Sequence, residues 1–198
     1  VGLLDLKILQ NQKEKDLSFF DNLNNKRFKL LYLLGSDNLE FKKNSEFVVY
    51  QGSHGDRGAE VADIILPSAT FTEQNGLYAN LEGRIQECKK ASYPIGEALE
   101  DWKIFNRIIK KLGFQEKPSN FEELRKEVLR NLPNFTDINE LPKKSKVKKD
   151  LVEKSFFSED IFIRDLDYYY TNSISRSSKT MSECRQIRQK IKKDGTNN

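Results

Sequence analysis

Three glycines, Gly52, Gly55 and Gly58, follow an apolar run in VVYQGSHGDRGAEVADIILP. Such a loop can turn successive backbone N–H groups toward an anion, so phosphate binding is the chemistry it would serve. The spacing is neither the dinucleotide fingerprint nor a P-loop, since no Gly-Lys-Ser/Thr follows. A turn that needs positive φ at glycine is the plainer explanation. His54, the only histidine, is a candidate general base, but sequence fixes no serine, cysteine or carboxylate as its partner. A loop imidazole bonded to its neighbours is the expected role.

Asp63, Glu73, Asn80, Glu82 and Arg84 form a polar series around Pro67, Gly76 and Gly83. A long loop stays ordered only when its backbone groups find partners. Glu73 or Glu82 pairing with Arg84 in a buried network would provide that order, and so would contacts to a cofactor. Residue types alone leave both open. Cys88 and Cys184 stand far apart, with no Cys-x-x-Cys pair and no clustered histidines. Iron–sulphur clusters and structural zinc sites need about four soft ligands, which this chain does not supply alone. Two lone thiols also argue against a disulfide scaffold and fit a reducing compartment such as a cytosol or mitochondrial matrix. The residues themselves therefore assign no catalytic, cofactor-binding or metal role.

Positioning these residues falls to a small set of elements. Residues 28–34, FKLLYLL, read as a strand buried on both faces and ending at Gly35. Phe47 to Tyr50 is a second strand, and Ala62 to Leu66 a third, stopped by Pro67. Residues 56–61 have room for a turn or two of helix, and 67–86 read as a long ordered loop. The spacing predicts an α/β class with a partial parallel sheet. Helices follow. Trp102, Phe105, Ile108, Ile109 and Leu112 fall on one helix face, with Gly113 as its cap. Ser119 and Glu122 suggest a capping box opening a second helix through Phe121, Leu124, Val128 and Leu132, until Pro133. Residues 143–149, KKSKVKK, read as a solvated linker, and 161–170 as an aromatic docking segment. Residues 180–193 suit a mostly polar helix, and residues from 194 onward suit disorder. The expected domains are 1–115 (the α/β lobe), 116–150 (a helix and basic linker) and 151–198 (an extended tail that docks on neighbours).

Only 37% of residues are hydrophobic and 32% charged, against typical values of roughly 45–50% and about 25%. A core this thin suggests apolar faces that need a partner. The net charge of +4 is concentrated between Arg176 and Lys193, where seven basic residues face Glu183 alone. No interleaved aromatics or known module accompany them, so no nucleic-acid partner is expected. No apolar run approaches the roughly 20 residues of a membrane span, and VGLLDLKILQ lacks the basic leader of a signal peptide.

The series Ala62-Asp63-Ile-Ile-Leu-Pro67, Thr72-Glu73-x-x-Gly76 and Asn80-x-Glu82-Gly83-Arg84-x-Gln86 resembles the carboxy-terminal part of the molybdopterin-oxidoreductase lobe. Formate dehydrogenases share that lobe with the large iron–sulphur (G-type, 75 kDa-type) subunit of respiratory complex I. Other stretches resemble the mitochondrial complex I subunit in particular. These are Val49-Tyr50-Gln51-Gly52-x-His54-Gly55-Asp56-x-Gly58-Ala59, Glu100-Asp101-Trp102-Lys103-Ile104 and Asn172-x-Ile174-Ser175-Arg176-x-Ser178-x-Thr180-Met181-x-x-Cys184. Leu3-Leu4-Asp5-Leu6 and Leu33-Leu34-Gly35 fit as well.

The resemblance implies a structural C-terminal piece of a split subunit in the matrix arm of complex I, at the mitochondrial inner membrane. The complex carries electrons from NADH to ubiquinone and pumps protons. The resemblance further implies no cofactor in this chain, with iron–sulphur clusters and FMN in partner subunits. The expected partners are the N-terminal cluster-bearing piece and other peripheral-arm subunits, with no direct membrane insertion. A fragment of a formate dehydrogenase-like molybdopterin enzyme is the alternative, its Glu73–Gln86 loop touching the pterin.

Overall fold

The computed structural model describes residues 18–115, 118–132, 138–141 and 167–193. The chain forms two compact units, 1–142 and 143–198. In the first, strands β1 (Leu30–Leu34), β2 (Phe47–Gly52) and β3 (Ile64–Pro67) make a parallel sheet in the order β1-β2-β3. The expected α/β class with a partial parallel sheet is what forms. Leu31 lies opposite Val48, and Leu33 opposite Tyr50. Side chains alternate along a strand, so these four share one face.

Helix α1 (Phe19–Asn24) closes that face with Leu23, helped by Phe19, Phe28, Leu39 and Phe41. A capping box starts the helix: Ser18 Oγ accepts the Asp21 N–H while the Asp21 carboxylate accepts the Ser18 N–H. Helix α2 (Arg57–Glu60) joins β2 to β3 and adds Ala59 to the same core, with Val61 following it.

The opposite face is less covered. Helix α3 (Asp101–Lys111) lays Phe105 on Tyr32, with ring centroids 5.8 Å apart. Beside that contact Leu30, Leu34, Phe47 and Ile64 are 57%, 50%, 45% and 44% exposed. The expectation of a first strand buried on both faces therefore holds for one face only. Parallel sheets are ordinarily covered on both.

Four further details differ from the sequence reading. The third strand begins later and includes Pro67, because Asp63 is occupied with β2: its N–H donates to Val48 O at 2.8 Å, and its carboxylate accepts the Val48 N–H at 2.8 Å. Residues 67–86 are not one loop. Strand β4 (Gly76–Ala79) pairs antiparallel with β5 (Ile85–Cys88), a hairpin hidden by the mixed patterns GLYA and IQEC. Its turn uses Gly83 at φ +83°, and Asn80 Oδ1 accepts the Arg84 N–H at 2.9 Å.

On α3 the buried residue is Ile104, while Leu112 lies 67% exposed just before Gly113. Helix α4 (Phe121–Asn131) is capped one residue later than expected. Asn120 Oδ1 accepts the Glu123 N–H, and Ser119 donates its N–H and hydroxyl to the Glu123 carboxylate.

The second unit contains α5 (Ser173–Ser177) and α6 (Lys179–Lys193). Arg185 pairs with Asp167 and lies 4.6 Å from the Tyr170 ring centroid. The 143–149 linker, most of the 161–170 segment and residues from 194 onward lie outside the described residues. No described helix is long and apolar enough to cross a membrane.

Candidate functional site

The glycine loop packs on Tyr50 and uses its own hydrogen-bonding groups. The fully buried Tyr50 phenol donates to the Asp37 carboxylate and accepts the Gly55 N–H. Burial first, then Asp37, pushes that phenol far above the ordinary tyrosine range. The Gly58 N–H donates to Asp37 O at 2.9 Å, and the Arg57 N–H donates to Asp56 Oδ1 at 3.0 Å. Gly58 is needed for close approach: a Cβ there would stand 2.5 Å from Ser36 O. His54 is exposed, with Nδ1 2.8 Å from Ser53 Oγ. It is bonded to its neighbour, as expected of a loop imidazole.

The polar series separates into local roles. Lys43, 2.6 Å from Asp63 Oδ1, holds the Asp63 carboxyl below its usual range, with help from the Val48 N–H. Glu73 Oε2 accepts the Thr70 N–H at 3.1 Å, and Glu82 is exposed. Neither pairs with Arg84, whose Nε is buried with no hydrogen-bond partner among the described residues. The network expected around Arg84 therefore does not form there.

A polar network forms instead at Gln51, a buried side chain at the end of an apolar strand. The Tyr32 phenol donates to Gln51 Oε1, and Gln51 Nε2 donates to Asp101 Oδ1 at 2.6 Å. Gln74 Nε2 reaches Asp101 Oδ2 at 3.1 Å, while Gln74 Oε1 accepts the Asp101 N–H at 3.3 Å. Four residues thus join β1, β2, the segment after β3 and the first turn of α3. Asp101 suits that turn, where the helix dipole favours negative charge. Burial first, then Asp101, raises the Tyr32 pKa. The adjacent Glu100 accepts Trp102 Nε1 at 2.7 Å, with Lys103 Nζ at 3.5 Å.

Gln74 carried no signal in the sequence. Gln51 did, as a polar residue ending an apolar run. A groove of about 780 Å³ beside β3 and α3 is lined by Ile65, Leu66, Pro67, Leu99, Ile104 and Ile108, with Glu97, Arg107 and Lys111 among the others. None of the polar series lines it. Cys88 and Cys184 are free thiols, and no three potential metal ligands converge among the described residues.

Residues 4–111 match the molybdopterin oxidoreductase family. The chain belongs to that family. Residues 133–184 match the C-terminal region of the G-type subunit of NADH-ubiquinone oxidoreductase. The chain is 42% identical to the G-type subunit of the NADH-quinone oxidoreductase of Rickettsia bellii over 167 residues, covering 84% of this chain and 24% of that protein. It is 38% identical to the same-named protein of Rickettsia felis over 176 residues, 88% and 26% of the two chains. Identity to the NADH-ubiquinone oxidoreductase 75 kDa subunit of Reclinomonas americana is 34% over 192 residues, 94% and 27%. The chain spans about a quarter of the length of these relatives. Both halves of the resemblance read from sequence, the lobe motifs and the Asn172–Cys184 tail, fall within these matches.

Proposed function

We propose that the chain is a structural, non-catalytic part of the large iron–sulphur subunit of complex I, in the matrix-side peripheral arm at the mitochondrial inner membrane. Its work is to close the carboxy-terminal part of the α/β lobe and brace neighbouring subunits. Electron transfer from NADH to ubiquinone, coupled to proton pumping, belongs to the whole assembly. The match of residues 133–184 to the C-terminal region of the G-type subunit carries this reading, because it separates the chain from other molybdopterin oxidoreductases.

We place no molybdopterin, cluster or flavin on this chain. Hydrogen bonding supports that part: Gly55, Gly58, Asn80, Gln51 and Gln74 direct polar groups to partners within the chain. The loop therefore offers a pterin or phosphate few open donors. One observation favours the alternative, a molybdopterin-contacting fragment: Arg84 Nε is buried without a partner among the described residues.

Affinity purification through this chain, followed by mass spectrometry, tests the assignment. The expected result is recovery of the cluster-bearing part of the large iron–sulphur subunit together with other complex I subunits. Recovery with formate dehydrogenase-type subunits in their place would reject it.

A further inference from the structure

We propose that helix α6 docks through its Cys184–Ile187–Ile191 stripe into an apolar groove rimmed by carboxylates on a neighbouring subunit, distinct from the large iron–sulphur subunit. This inference rests on the complex I reading. It adds which surface of the second unit does the bracing and what chemistry that surface meets.

Residues three and four apart stack on one side of a helix, so Cys184, Ile187 and Ile191 form a single stripe. Ile187 and Ile191 are 59% and 47% exposed. Basic side chains flank the stripe. Arg188 stands one turn from both Cys184 and Ile191 on one side, and Lys190 stands one turn from Ile187 on the other.

The unit cannot balance this charge by itself. Between Asp167 and Lys193, seven basic residues stand against two acidic ones, Asp167 and Glu183. Asp167 pairs with Arg185, and Glu183 with Lys179 at 4.0 Å. Among the described residues, neither Arg188 nor Lys190 has a carboxylate within ion-pair distance. Arg188 lies 5.8 Å from the Tyr168 ring centroid, a contact that orients the cation and leaves its charge in place.

Four surroundings could suit such a helix, and they use its features unequally. In water, Lys190 near the C-terminus would offset the helix dipole, but the isoleucines would stay bare. Nucleic acid would engage the cations and leave the same isoleucines idle. An anionic membrane surface takes up both charge and apolar area. Helices that lie on one bury Trp, Phe or Leu, and α6 has none of these. A protein groove takes apolar anchors at i, i+3 and i+7, the spacing of Cys184, Ile187 and Ile191. Carboxylates along its two rims would meet Arg188 and Lys190, so charge and stripe are both used.

The test is crosslinking within the native assembly purified through this chain, read by mass spectrometry. A photoreactive side chain at Ile187 reports what covers the stripe. Zero-length carbodiimide coupling, in a parallel preparation, reports which carboxylate touches Lys190. Both links should fall on one segment of one neighbouring subunit, the first at apolar residues and the second at Asp or Glu. Ile187→Glu should lower recovery of that subunit by about tenfold or more. Gln189→Glu, which adds the same charge on the opposite face, should leave recovery within about twofold. Equal losses in the two variants would overturn the inference, because charge alone would then account for the docking. A photolink to lipid, to nucleic acid or within the large iron–sulphur subunit itself overturns it too. So does the lack of any link in an assembly that contains the cluster-bearing part. Those outcomes leave the functional reading standing. Recovery with no other complex I subunit overturns both.

Discussion

Gln51 and Asp101 lie fifty positions apart, yet the Gln51 side-chain amide donates to the Asp101 carboxylate at 2.6 Å. The contact ties the end of β2 to the start of α3, and it gives the loop between them, through Gln74, a fixed point of attachment. Replacing Gln51 with Leu removes a donor from the Asp101 carboxylate and an acceptor from the Tyr32 phenol. Losing a buried hydrogen bond to a charged group costs about 2–3 kcal/mol. Hydrogen-exchange protection of the Leu33 and Val48 amides in the assembly should fall accordingly, and unchanged protection would refute the network's role. Gln51→Glu, which sets a second carboxylate beside Asp101 in place of an amide donor, should weaken protection further.

Asp63 clasps β2 through the Val48 N–H, with its carboxyl held below the ordinary range by Lys43 and then by that N–H. A depressed folded pKa gives stability that is present above the unfolded value of about 3.9 and lost as pH falls through the folded value. Protection of the Val48 amide, corrected for intrinsic exchange, should therefore decline below about pH 4. In Asp63→Asn the decline should be absent. An identical acid profile in the variant would show that Asp63 is not responsible.

Gly83 sits at φ +83° in the β4–β5 turn, where an L side chain costs about 1–2 kcal/mol and a β-branched one more. Gly83→Val should reduce protection of the Asn80 and Arg84 amides, which hold the turn, by roughly tenfold or more. Gly83→Ala should have the smaller effect. Equal effects of the two would exclude backbone conformation as the cause.

His54 is exposed and, among the described residues, its ring bonds Ser53. In the assembled complex, His54→Ala should leave NADH:ubiquinone turnover within about twofold of the parent, the range expected for a surface change away from any reacting group. Loss of turnover in a fully assembled complex would make the loop part of the chemistry.

The sheet was legible in the sequence because its strands are short apolar runs ending in Gly35, Gly52 or Pro67, a pattern set by local composition. Helix α3 was legible from its period, although Ile104 and not Leu112 takes the buried position, since only packing decides which edge of an apolar stripe faces inward. The hairpin was not legible. Its strands are four residues each, and their mixed side chains are held by a turn and by cross-strand pairing. The Gln51–Asp101–Gln74 network was also out of reach: it joins residues that only the tertiary fold brings together. The Arg84 expectation failed for the same reason. Opposite charges close in sequence suggest pairing, but Glu73 accepts the Thr70 N–H and Glu82 stays exposed.

Elemental analysis of the intact assembly, purified through this chain and assayed in the same preparation, tests the central claim most directly. The predicted result is iron and flavin in the assembly, NADH:ubiquinone turnover, and molybdenum far below one atom per chain. Molybdenum stoichiometric with this chain, released together with a pterin on denaturation, would contradict it.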